Sequence, residues 1–141
     1  MSNGLYFKRE ELLETVNQNE KYDKSKPLKK VKHIYKCSGA VYEGEMRCGF
    51  REGYGKMTWT DGASYEGQWL EGFANGKGKF NHHYGDQYDG NWKNNKCHGY
   101  GTYTNKKGAL YKGNWNNDQQ EGHGEEVWPT GSRYEGAYYQ G

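Results

Sequence analysis

The residues of this 141-residue chain that could do chemistry are few. Gly76-Lys77-Gly78-Lys79 brings glycines and lysines together, the combination that cradles phosphate. A phosphate-binding loop needs four residues between its glycines and a Lys-Ser/Thr after them, and this stretch has neither. Cys97-His98 and His82-His83 offer thiol and imidazole. Structural zinc takes four ligands from close pairs such as Cys-x-x-Cys and His-x-x-x-His. Those spacings are missing, so the four residues read as connector loop. No serine stands in a nucleophile-elbow context. The many rings could stack nucleic-acid bases, but such a surface interleaves them with Arg and Lys. Residues 37–141 hold only Arg47, Arg51 and Arg133, with eleven bases against thirteen acids, a net −2. The expectation is no catalysis, no cofactor, no metal and no nucleic acid.

What the sequence does have is a period. The cassette Tyr65-Glu66-Gly67-Gln68-Trp69 recurs with its tyrosine at Tyr42, Tyr65, Tyr88, Tyr111 and Tyr134, always 23 residues apart. The glycine two places on gives Gly44, Gly67, Gly90, Gly113 and Gly136. The Trp position reads Met46, Trp69, Trp92, Trp115 and Tyr138. A Gly-x-Gly pair follows in each unit, as Gly53/Gly55, Gly76/Gly78, Gly99/Gly101 and Gly122/Gly124. Self-similarity at a fixed period decides the fold before anything else does. Alternation predicts two antiparallel strands per unit. In the first, Tyr65, Gly67 and Trp69 share a face; in the second, Gly76, Gly78 and Phe80 do. Strand glycines let neighbouring rings lie on backbone. The connector glycines Gly49 and Gly72 become Asn95 and Asp118, the next-best residues for left-handed backbone, so that position needs positive φ.

One hairpin cannot bury its rings alone, so the units must stack side by side. The expected fold is all-β, an elongated antiparallel meander of 23-residue hairpins with a short N-terminal helical arm. Ile34 aligns with the ring positions Met57, Phe80 and Tyr103, which begins the repeats at 34. The boundaries are an arm over 1–33 and a repeat domain over 34–141. That domain comprises a half repeat 34–41, full repeats 42–64, 65–87, 88–110 and 111–133, and a partial repeat 134–141. Glu126 stands where the other units have Met57, Phe80 and Tyr103, a weak point in the last full repeat.

This pattern resembles the MORN repeat, the membrane occupation and recognition nexus motif. The resemblance covers about 34–141 and implies that Tyr42, Gly44, Tyr65, Gly67, Trp69, Tyr88, Gly90, Trp92, Tyr111, Gly113 and Trp115 are structural. Family members serve as cytoskeletal and ciliary scaffolds, membrane-junction proteins and accessory arms of enzymes. A ciliary member similar to radial-spoke-head MORN proteins is the expectation the resemblance suggests.

The arm carries the remaining signals. Residues 1–36 hold nine Lys/Arg and five Asp/Glu, +4, within an overall +2. Lys24 to Lys36 contains six lysines and no acid, and Lys29, Lys30 and Lys32 are its centre. This run reads as a solvated linker or as a contact for an acidic protein, with lipid the weaker alternative. Met1 to Val16 reads as a helix capped by Ser2 or Asn3, with Leu5, Leu12, Leu13 and Val16 on one stripe. So short a helix must pack on something, the first repeat or a partner. Tyr134, Tyr138 and Tyr139 form a strand whose repeat is incomplete, an edge open to a partner or a second copy. Three cysteines without a disulfide framework, no secretory signal and no membrane-spanning stretch point to an intracellular, cytoplasmic or cytoskeletal setting. The expected function is a non-catalytic structural subunit of a larger protein assembly. The alternatives are a membrane-recruiting adaptor and an accessory subunit of an enzyme.

Overall fold

The computed structural model of the chain describes residues 6–16 and 21–138. Ten strands form one open antiparallel sheet in which each pairs with its sequence neighbours. They are β1 (Lys29–Ile34), β2 (Val41–Arg47), β3 (Phe50–Thr58), β4 (Ser64–Leu70), β5 (Phe73–Asn81), β6 (Gln87–Lys93), β7 (Lys96–Thr104), β8 (Leu110–Asn116), β9 (Gln119–Val127) and β10 (Arg133–Tyr138). A seven-residue helix, α1 (Arg9–Thr15), precedes them. Nine strand-to-strand steps at about 4.8 Å make a meander on the order of 40 Å long.

Tyrosines and tryptophans interlock along one face. Trp92 meets Tyr65 at 5.1 Å and Tyr88 at 5.3 Å, both edge to face. Trp115 meets Tyr88 and Tyr111 in the same way, at 5.4 and 5.3 Å. Each Trp thus joins two repeats. Its indole also donates across the sheet, from Trp69 to Gly55 O, Trp92 to Gly78 O and Trp115 to Gly101 O. Burying an indole without a partner for its N–H would cost stability, and this bond avoids it. The opposite face is solvated and charged.

Glycine opposes glycine at each strand pair from β2 to β10, as in Gly67↔Gly78 and Gly78↔Gly90. The tyrosine rings lie over this bare backbone. Two-residue turns close every second hairpin. At Asn94-Asn95, φ is 50° and 69°; at Glu71-Gly72 it is 48° and 90°. Positive φ at both central residues matches the type I′ turn, whose twist suits antiparallel strands. The conformational reading of Gly49, Gly72, Asn95 and Asp118 therefore holds.

Three expectations need correction. The first glycine of each Gly-x-Gly pair is not a ring-packing site. Gly76 has φ of 88° and sits where the β4–β5 register shifts between Gly67 and Trp69, so it forms a bulge. The second correction concerns Ile34, which is 62% exposed rather than in the ring row. Six residues join β1 to β2, whereas five join β3 to β4. That single extra residue slips the phase, and a one-residue slip turns every side chain to the other face. His33 stands opposite Tyr42 in place of Ile34, and Tyr35, wholly buried, takes the position that Trp59 holds in the next unit. Third, Lys29 to Lys32 is not linker: it pairs with β2, with Lys32 opposite Glu43 and Lys30 opposite Glu45.

Candidate functional site

The aromatic face is not bare over the first repeats. Phe7 inserts its ring among five others: Trp59 at 5.3 Å, Tyr65 and Trp69 at 5.9 Å each, Trp92 at 6.1 Å and Phe80 at 6.2 Å. Tyr6 packs edge to face on Trp59 at 5.0 Å and Phe80 at 5.2 Å. The Trp59 indole donates to Tyr6 O at 3.0 Å, and the Tyr6 hydroxyl donates to Asp61 Oδ2 at 2.7 Å. Burial, then the Asp61 carboxylate, raises the Tyr6 phenol to about 12. The segment is thus held by rings and by its own backbone carbonyl.

Helix α1 continues the contact. Its buried residue is Glu11, not the expected leucine stripe; Leu13 is 54% exposed, and Leu12 and Val16 are half-buried. Leu5, Ser2 and Asn3 lie outside the described residues. Glu11 meets Arg51 at 3.5 Å, with side-chain exposures of 0% and 1%. Arg51 also donates to Gly72 O at 2.8 Å and stacks 4.7 Å from the Trp69 ring. The Glu11 carboxylate accepts from Ser38 Oγ at 2.8 Å. Charges this deep are tolerated because they are paired and hydrogen-bonded.

The sequence prepares a bed for α1. Thr15 Oγ1 donates to Gly49 O at 2.7 Å. A Cβ on Gly49 would overlap the Thr15 carbonyl, with the carbonyl carbon 2.7 Å away. A Cβ on Gly72 would strike Leu12 Cδ2. In later repeats Asn95 and Asp118 occupy this position, and their side chains accept from the Ala74 and Cys97 amides at 2.7 and 2.8 Å. At the far end of α1, Glu14 accepts from the Lys36 and Cys37 amides, both at 2.8 Å. The Cys37 thiol and then those amides hold its carboxylate at about 2, down from 4.5.

Over the later repeats the same face stays open. Tyr103, Tyr111, Glu126 and Trp128 line a shallow cavity of about 170 Å³. Glu126, opposite Tyr111, is half-buried there. Tyr138 packs on Tyr111 at 4.9 Å, while Tyr134 is 51% exposed on β10. Tyr139 lies outside the described residues. Lys29, Lys30 and Lys32 are exposed on β1, and Lys29 lines a cavity of about 700 Å³ with Thr15 of α1 and Gly49 of its bed. The structure thus brings Lys29 beside the end of the helix, while the C-terminal tyrosines lie on β10 at the other end of the sheet. Among the described residues, no group of three or more His, Cys, Asp and Glu could hold a metal ion. Burial, then Asp118, pushes the Cys97 thiol up, so it stays protonated.

The repeat itself identifies the chain. Residues 42–64, 65–81, 88–109 and 111–133 match the MORN repeat, more than half of the sequence. The chain belongs to the MORN-repeat family. No curated protein matches it. MORN-repeat proteins are generally associated with protein–protein or membrane–lipid interactions and are typically non-catalytic. Of the residues named from the period, Tyr42, Tyr65, Tyr88, Tyr111, Trp69, Trp92 and Trp115 sit in the shared core, whereas Tyr134 is exposed. Sequence reading passed over Tyr6, Phe7, Glu11, Arg51 and Trp59. Arg51 did leave a signal, since it stands where the later repeats have Ala74, Cys97 and Gln120.

Proposed function

We propose that this MORN-repeat chain is a non-catalytic scaffold subunit that holds protein segments within a larger assembly. The observation that supports this reading is Phe7 seated among five rings, which shows the aromatic face accepting a segment from outside the repeat pattern. A non-repeating strand or helix of another protein meets the same rings. The assembly to examine first is a ciliary axonemal complex such as the radial spoke head, or a cytoskeletal one. The setting that fits is cytoplasmic.

Two further contacts belong to the proposal. The lysines of β1 meet an acidic protein surface, and β10 offers an edge to a partner strand or a second copy. Tyr134→Asp tests the edge while sparing the Tyr111–Tyr138 contact; unchanged association would remove it. Affinity purification with mass spectrometry tests the scaffold reading, with a stable set of protein partners expected. Vesicle sedimentation with and without anionic lipid tests the rival, a membrane adaptor. Binding that requires anionic vesicles and recovers no protein partner would overturn the scaffold. Recovery of one enzyme whose activity responds would make the chain an accessory subunit.

A further inference from the structure

We propose that the segment from Tyr6 to Thr15 is a displaceable internal ligand, and that the site beneath it takes linear protein segments bearing two adjacent aromatic residues followed by a carboxylate four places on. Arg51 is the residue that reads the carboxylate. The inference rests on the reading of the aromatic face as a protein-docking surface, and it names the partner's chemistry.

The segment adds no strand to the sheet and shares nothing with the 23-residue pattern. It is bound as a ligand would be. Its backbone carbonyl is read by Trp59, whereas the indoles of Trp69, Trp92 and Trp115 are used up by carbonyls of the sheet. Its second ring fills a cleft, and its acid meets a buried cation.

Arg51 sets the specificity. Its register position holds a small or uncharged residue in the later repeats, Ala74, Cys97 and Gln120, so the sheet does not need a cation there. A guanidinium 1% exposed does need an anion. The anion supplied in cis fits poorly. Glu11 reaches Nη1 at 3.5 Å through one oxygen, and the buried Nε has no hydrogen-bond partner. A carboxylate free of the tether could close on Nη1 to the roughly 2.7–2.9 Å of a strong charge-assisted hydrogen bond. The bed is equally local: glycines at 49 and 72 clear it, while Asn95 and Asp118 fill the corresponding places further along.

Displacement is feasible because α1 has seven residues and is marginal without its bed. Its tether keeps it present at an effective concentration on the order of millimolar, so an external segment competes against a closed majority state. Docking of a partner would release the helix and expose Glu11, which is wholly buried while the helix is seated.

The test uses the full chain and a labelled synthetic peptide of residues 1–16. The recipients are the parent and the Phe7→Ala/Glu11→Gln chain, whose own segment is weakened at both anchors. The peptide should bind the double variant at least about tenfold more tightly than the parent, because the internal competitor is lost. A Glu11→Gln version of the peptide should bind about tenfold less tightly, through loss of a charged hydrogen bond. Equal affinity of the two peptides, or equal affinity for the two chains, overturns the proposal. Hydrogen exchange of the parent gives a second reading should the double variant misfold. Amides of α1 should exchange well ahead of those in β5; exchange at the same rate would make the helix a fixed part of the core. The scaffold role survives either failure, since partners would still be captured through the remaining face or the edges.

Discussion

The ring of Tyr88 lies flat against Gly101, the second glycine of the third Gly-x-Gly pair. A Cβ on residue 101 would overlap the Tyr88 hydroxyl and stand 2.5 Å from its Cζ. Because Tyr88 also packs on Trp92 and Trp115, it cannot swing aside without opening two repeats. Gly101→Val should therefore cost about 1–3 kcal/mol, the usual range for overpacking. A thermal melt should show the midpoint several degrees lower. An unchanged midpoint would contradict the ring-on-glycine packing.

What the sequence could reveal followed from the period. Tyr65, Gly67 and Trp69 repeat their roles every 23 residues, so alternation at one unit assigns all of them. Interactions that occur once leave no such trace. Phe7 has no counterpart to align, Trp59 recurs only as Trp128 with His82 and Asn105 between, and Arg51 finds Glu11 forty residues earlier. Ile34 misled for a related reason. The alignment assumed a constant turn length, and the extra residue before Val41 moved Tyr35 into the core instead. Gly53 and Gly76 read as strand glycines because a bulge and a flat strand both favour glycine. Only the backbone angle φ, 80° and 88°, separates them.

Gly49→Asn separates the demands of the turn from those of the bed. Asn95 shows that asparagine accepts this turn, at φ of 69°. The new side chain nevertheless collides with the backbone of Thr15 and Val16. The sheet should keep its circular dichroism, while α1 amides should lose protection in hydrogen exchange. Retained protection at α1 would mean that the helix does not depend on bare glycine beneath it.

Glu14 ties the end of α1 to the β1–β2 turn and makes that tie sensitive to acid. Its folded pKa, about 2, lies below its ordinary value of 4.5. The contribution is therefore complete above about 4.5, fades as pH falls, and is gone below about 2. Tryptophan fluorescence from the Phe7 cleft should change across that window before the sheet itself melts. Glu14→Gln should show the loosened signal already at neutral pH. A Glu14→Gln chain with the parent's acid profile would exclude Glu14 as the acid-sensitive tie.

The lysines of β1 have two possible debts, one to the fold and one to a partner. Lys30 and Lys32 stand directly across from Glu45 and Glu43. Opposite charges so placed contribute about 0.2–1 kcal/mol per pair. Changing Lys29, Lys30 and Lys32 to glutamine should thus lower stability slightly, and more at low salt, because exposed pairs are screened. The proposed contact with an acidic protein adds a second effect, weaker assembly at low ionic strength. Glu43→Gln/Glu45→Gln separates them. It removes the same cross-strand pairs while leaving all three lysines exposed. Its stability should fall like that of the lysine variant, and its assembly should stay at the parent level or rise. If both variants lose assembly equally, the lysines act only through the strand, and partner docking must be assigned to the aromatic face or to β10.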